Sequence, residues 1–172
     1  LCGQMICVTT ADGYLYAIDA LLGVSIYRKK VGIVIHNGIF SEYPEMYIIN
    51  PGSIQKIHLL KDELVWEYKE SEIVDAVKVP DGIVFATGNG TLGKIAQNGS
   101  LTWRIHVGQG IRSLQYTAKG IICLAEHIFY QISENGEVLW SYSLPDKNAE
   151  ILSLTPKTVY IRVKDSFITL RI

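Results

Sequence analysis

Three tryptophans at a fixed interval, Asn-Gly and Asp-Gly turns between short β-branched runs, and no sustained 3.6-residue period predict one fold class. The expected chain is all-β, a β-propeller built of four-stranded antiparallel blades. Trp66, Trp103 and Trp140 are the only tryptophans and lie 37 residues apart, while Tyr27 stands 39 before the first of them. Each aromatic closes a similar phrase: Leu22-Gly23-Val24-Ser25-Ile26-Tyr27, Lys61-Asp62-Glu63-Leu64-Val65-Trp66, Asn98-Gly99-Ser100-Leu101-Thr102-Trp103 and Asn135-Gly136-Glu137-Val138-Leu139-Trp140. The turn residue four places before the aromatic is Gly, Asp, Gly and Gly in turn.

The remaining elements keep the same register. An apolar strand opens at Ile6, Met46, Ile83 and Ile121, and a second follows at Tyr14, Ile54, Leu92 and Ile128. After each aromatic comes a further run, such as Ile73 to Val79 or Ile111 to Tyr116. The turn pairs Asp12-Gly13, Asp81-Gly82, Asn98-Gly99 and Asn135-Gly136 suit hairpins because these residues tolerate positive φ. Four short strands per unit of about 37–39 residues is the arithmetic of a propeller blade. A single blade cannot cover both of its faces, so it stacks on neighbours around an axis. The recurrent aromatics Tyr27, Trp66, Trp103 and Trp140 are therefore expected between blades, where one ring buries on the order of 150–250 Å².

The units run approximately 5–30, 32–69, 72–107 and 109–144, with a remainder at 149–172, all within one propeller domain or part of one. The first is expected to lack its innermost strand and the last its outermost, giving between four and five blades. The chain begins on Leu1 rather than Met and reads as an excised or processed piece. Three readings of the count stay open: an excerpt of a larger propeller, a small ring closed by the remainder, or two chains sharing one ring. Open ends expose strand edges and an apolar blade face, which proteins normally cover. A protein partner or a second copy is accordingly expected at the open blade edges.

The first unit, Tyr14-Leu15-Tyr16-Ala17-Ile18-Asp19-Ala20-Leu21-Leu22-Gly23 through Tyr27, resembles the PQQ-like propeller repeat, whose signature is A-x-D-x-x-x-G followed by an aromatic. Ala17, Asp19 and Gly23 fit, and Tyr27 stands where Trp is usual. Later units keep only part of the signature, as in Lys94 to Gly99 and Gln131 to Gly136. That degenerate form is similar to the non-enzymatic, BamB-like members of the superfamily. The resemblance implies a propeller fold and a scaffold role, whereas quinoprotein enzymes of this fold use a vicinal cysteine pair, a calcium site and a catalytic Asp.

Chemistry is sparse in the sequence. Cys2, Cys7 and Cys123 form no vicinal or C-x-x-C pair, and no acidic cluster has calcium-loop spacing. The histidines His36, His58, His106 and His127 fall at different places in the repeat, without zinc-site spacing. Gly88-Asn89-Gly90-Thr91-Leu92-Gly93 matches G-x-G-x-x-G in letters but precedes a strand, so a hairpin turn is expected. No catalytic residue, cofactor or metal ligand is therefore assigned. With 16 Lys and Arg against 17 Asp and Glu, the net charge of −1 argues against a nucleic-acid partner. No stretch reaches the roughly 18 apolar residues of a membrane span, and no signal peptide is recognisable, so the compartment is left open. Asn89 and Asn98 head glycosylation sequons that are equally ordinary turns.

One set of polar positions stands out. Nine residues past each aromatic, in the expected innermost strands, come His36, Asp75, Arg112 and Ala149, with Glu150 beside the last. They are candidate funnel-lining positions for a small ligand or peptide; a solvated channel wall is the plainer reading. Tyr43, Tyr47 and Tyr142 are candidate exposed interface aromatics. The function expected is a non-catalytic scaffold mediating protein–protein interaction within a larger assembly. The alternatives are a piece of a PQQ-like propeller enzyme and a ligand-sensing propeller domain.

Overall fold

The computed structural model describes residues 4–35, 38–145, 150–155, 158–164 and 166–171. Eighteen strands among them form five antiparallel sheets, each made of consecutive strands in meander order. The first holds β1 (Met5–Thr9), β2 (Tyr14–Asp19) and β3 (Ser25–Lys30). The second holds β4 (Ile39–Glu42), β5 (Glu45–Asn50), β6 (Ser53–His58) and β7 (Glu63–Lys69). β8 (Ile73–Val79), β9 (Gly82–Thr87), β10 (Thr91–Ala96) and β11 (Leu101–His106) make the third. The fourth comprises β12 (Ile111–Thr117), β13 (Gly120–Ala125), β14 (Ile128–Ile132) and β15 (Val138–Ser143). The fifth comprises β16 (Glu150–Thr155), β17 (Thr158–Val163) and β18 (Ser166–Arg171). No helix is found among the described residues, and none is long and apolar enough to cross a membrane.

Side chains alternate between the two faces of a strand, so a sheet packed on both sides needs apolar residues at every position of its middle strands. β9 and β13 are buried along their whole length, and Met46 to Ile49 of β5 likewise. The alternation sorts these residues into four cores, each shared by two successive sheets. Met46 and Ile48 face back to Met5, Leu15 and Ala17 of the first sheet. Tyr47 and Ile49 face forward to Ile83, Phe85 and Ile95 of the third. Val84, Ala86 and Leu92 then meet Ile121, Cys123 and Ile132 of the fourth. Ile122, Leu124 and Phe129 meet Val159 and Ile161 of the fifth.

Tyr47 corrects an expectation. It is fully buried rather than exposed, because its position on β5 turns its ring into the core between the second and third sheets. There it meets Trp66 edge-on, with centroids 5.8 Å apart. Tyr43 and Tyr142 are exposed.

The last two strands of each of the first four sheets share one irregularity. The ladder slips between Ala17 and Ile18, Lys56 and Ile57, Lys94 and Ile95, and Gln131 and Ile132. The residue before each slip lies opposite Tyr27, Trp66, Trp103 and Trp140 respectively. Beside each slip the turn carries a residue of positive φ: Gly23, Asp62, Gly99 and Gly136. A bulge coupled to a left-handed turn residue bends the outer strand and adds twist, so each sheet repeats one geometric device.

Candidate functional site

The inner strands β4, β8 and β12 line an open cavity of about 550 Å³. Phe40, Val74, Asp75, Arg112, Gln115 and Tyr116 are among its lining residues. Asp75 and Arg112 thus line one cavity on neighbouring sheets. His36 lies outside the described residues, and Glu150 opens β16 opposite Arg162.

The ladder refines the offsets counted from the tryptophans. Asp75 lies opposite Ala86 and Ser113 opposite Leu124, each just past an inner-strand bulge. Asp75 therefore shares its station with Ser113, whereas Arg112 occupies the bulge, as Val74 does in β8. The connection Val107 to Gly110 is one residue longer than Glu70 to Glu72, which moves the equal sequence offset by one station. Asp75 Oδ2 accepts the main-chain N–H of Leu114 at 2.7 Å, and Oδ1 accepts that of Ala76 at 2.8 Å. A charged acceptor on two amides is a strong bond, and this one ties the inner strand of one sheet to that of the next. Tyr116 donates its hydroxyl to Glu134, and that bond, with burial second, raises the phenol above its ordinary range. The cavity combines this fixed carboxylate with Arg112, an amide and two aromatic rings, a lining suited to a short peptide or small polar ligand.

A second constellation recurs between sheets. The Trp66 indole N–H donates to the Gln97 carbonyl at 2.8 Å, and the Trp103 indole to the Glu134 carbonyl at 2.8 Å. The acceptor in both cases sits two residues before a glycine on the following sheet. A Cβ on Gly99 would lie 2.8 Å from the Trp66 ring, and one on Gly136 2.7 Å from the Trp103 ring. Glycine is thus required twice over, by positive φ and by the ring seated on it. Tyr27 follows the same course to the second sheet, where its hydroxyl donates to Asp62 at 2.8 Å. Lys29 joins the same carboxylate at 2.6 Å. Burial first, then the Asp62 bond, pushes the Tyr27 phenol well above its ordinary value.

Sequence reasoning treated these glycines only as turn residues; their fixed distance from the next aromatic was the available signal. It also missed the buried polar residues opposite the rings. Lys56 contacts Glu45 at 2.5 Å and lies near Glu42, Lys94 pairs with Asp81 at 2.8 Å, and the Gln131 amide donates to the Lys119 carbonyl at 3.1 Å. Burial, the largest influence, draws the Lys56 ammonium down, but the Glu45 bond and the further attraction of Glu45 and Tyr47 together outweigh it and the net direction is upward. Burial likewise works to raise Glu42, and the Lys78 ammonium at 3.2 Å, with Tyr47 and Lys56 close by, brings it below the usual carboxylate range. Cys123, at the core between third and fourth sheets, is pushed up to about 12 by burial, with the Asp75 charge second.

No family model matches the chain, and no curated protein matches it. Among solved structures it is similar to BamB from Moraxella catarrhalis, with 13% identity and a TM-score of 0.75 over 96% of this chain and 55% of that one. It is similar to the computationally designed Ika8 protein, at 14% identity and TM-score 0.80, covering 98% of this chain and 56% of that one. Hsv2 from Kluyvelomyces marxianus matches at 10% identity and TM-score 0.78, with coverage of 98% and 56%. The fold is a β-propeller. The five sheets are its blades, with the inner strands at the hub and the aromatic-bearing strands outside. The chain spans little more than half the length of these propellers.

Proposed function

We propose that this chain is a non-catalytic propeller scaffold of the PQQ-like type that holds a protein partner within a larger assembly. One observation carries the reading: an apolar belt repeats along the rim. Leu64 and Val65 on β7, Leu101 on β11, and Val138, Leu139 and Tyr142 on β15 are all exposed. Blade packing does not use these side chains, and apolar groups repeated along a surface mark interaction sites. The similarity of the degenerate repeat to BamB-like scaffolds supports the same reading.

Affinity capture with the tagged chain, read by mass spectrometry, tests it. A specific partner should be retained by the native chain and lost by Leu139→Glu with Tyr142→Glu, at unchanged melting temperature. Equal capture by both proteins refutes the rim as the binding surface. A second reading is favoured by the cavity at the hub, where Asp75 and Arg112 converge. A peptide or metabolite bound there should lose affinity in Arg112→Ala; unchanged binding removes that reading.

A further inference from the structure

We propose that the leucine-tipped outer turns of the first two blades form the interface through which two copies of this chain pair about a two-fold axis. The inference goes beyond the scaffold reading, whose test residues Leu139 and Tyr142 lie on the fourth blade.

The turn before each outer strand carries one pair of stations, immediately ahead of Gly23, Asp62, Gly99 and Gly136. The pairs are Leu21-Leu22, Leu60-Lys61, Gln97-Asn98 and Glu134-Asn135, and every one of these residues is exposed. The third and fourth blades are each stacked on the blade before them, yet they still expose these stations. Exposure here is therefore a property of the turn tip and not of an open end. In those two blades the stations hold the polar residues that a turn in water favours. In the first two blades they hold leucine: Leu21 is 82% exposed, Leu22 74% and Leu60 65%. A single exposed leucine needs no explanation, but leucines at equivalent tips of adjacent blades mark an interaction surface.

The tips are held in place by the fold. Asp19 Oδ1 accepts the main-chain N–H groups of Leu21 at 2.8 Å and Leu22 at 2.9 Å, and the Gly23 N–H donates to the Asp19 carbonyl at 2.9 Å. The Leu59 N–H donates to the Pro44 carbonyl at 3.0 Å, which seats the second tip beside the exposed Tyr43. Tyr27 and Lys29 reach across to Asp62 and tie the first outer strand to that same tip. Apolar groups fixed in this way lose little freedom on association.

Charge selects the occupant. Four carboxylates at these turns are already engaged: Asp19 by two amides, Asp62 by Lys29, Glu42 by Lys78 and Glu45 by Lys56. Lys61 and Glu63, opposite in sign and two residues apart beside Leu60, are exposed and have no ion-pair partner among the described residues. An anionic lipid surface would attract the first and repel the second. A two-fold axis instead sets Lys61 of one protomer against the partner's Glu63 and repeats the pair on the other side, so one turn supplies both halves. The net charge of −1 leaves little repulsion between copies. Leucines at the centre with ion pairs at the border have the anatomy of a protein interface.

Sedimentation velocity of the full chain over a range of concentrations tests the proposal, and the expected result is twice the mass of one chain. Leu21→Ser combined with Leu22→Ser should keep the native circular dichroism spectrum, because the shortened side chains are exposed, and should pair at least about a hundredfold more weakly. Lys61→Glu alone and Glu63→Lys alone should each weaken pairing about tenfold, and the chain carrying both should regain the native affinity. Leu139→Glu with Tyr142→Glu should leave the dimer intact. A chain that stays monomeric up to about 1 mM overturns the proposal, as does a dimer indifferent to the leucine and charge variants. A double swap that pairs no better than the single ones overturns the two-fold arrangement. Co-sedimentation of a monomeric chain with phosphatidylcholine vesicles, with or without phosphatidylserine, that is lost in the leucine variant assigns the tips to a lipid surface and also overturns it.

Discussion

Gly136→Ala and Gly23→Ala place the same methyl group at two positive-φ turn positions with different surroundings. At both positions φ is positive, 85° and 69°, and an L-residue there costs about 1 kcal/mol. At Gly23 that is the whole effect, because nothing lies within 4 Å. At Gly136 the new Cβ falls 2.7 Å from Trp103 Cδ2 and 3.0 Å from Cγ and Cε3. The ring has to retreat by nearly an ångström, yet its N–H is held to the Glu134 carbonyl at 2.8 Å. Losing that bond adds about 1 kcal/mol, and loosening the core beneath the ring adds about another. The expected costs are about 3 kcal/mol for Gly136→Ala and about 1 kcal/mol for Gly23→Ala. Urea unfolding followed by far-UV circular dichroism measures both. Gly136→Ala should also fall to about 1 kcal/mol when combined with Trp103→Ala, as expected when contacting residues couple. Equal costs for the two alanines, or additive effects with Trp103→Ala, refute the ring-on-glycine contact.

Trp103→Ala alone should lose about 3–5 kcal/mol in the same assay, and a loss under 1 kcal/mol would contradict its place between blades. Asp75→Ala should cost about 2 kcal/mol through the Leu114 and Ala76 amides it leaves unpaired at the hub; a neutral effect on thermal stability would show that this tie is dispensable. The Cys123 thiol, held at about 12 when folded, returns to about 8.5 on unfolding, so the folded chain retains a proton that the unfolded chain gives up. Its stabilising contribution is complete below about pH 8.5 and declines toward pH 12, by at most about 1.4 kcal/mol per pH unit. Cys123→Ala should flatten this alkaline slope in melts taken from pH 8 to 11, and an unchanged slope argues against the assignment. Lys94→Met should cost less than about 1 kcal/mol, because the exposed Asp81 it abandons stays hydrated.

Much of the fold was legible because a blade's demands are local and repeated. Asn98-Gly99 and Asn135-Gly136 announce hairpins by their backbone tolerance, and runs such as Ile83 to Ala86 announce strands covered on both faces. The site was less legible because its residues meet across blades. Counting from Trp66 and Trp103 gave Asp75 and Arg112 one offset, but a one-residue difference in the connecting loops put them at adjacent stations. Tyr47 reads like Tyr43 in composition, but it lies on β5, which neighbouring sheets cover on both faces, whereas Tyr43 stands in the turn before it. Lys56 and Lys94 look like solvated strand lysines; the acids that receive them, Glu45 and Asp81, lie on neighbouring strands or turns whose proximity is a product of folding.

Proton NMR of the folded chain tests the blade-to-blade ring contact most directly. Cross-peaks are expected from the Trp66 indole to the Gly99 Hα protons and from the Trp103 indole to those of Gly136, with both indole N–H protons slow to exchange. Indoles that exchange freely and show no contact with either glycine would contradict sheets stacked as successive blades.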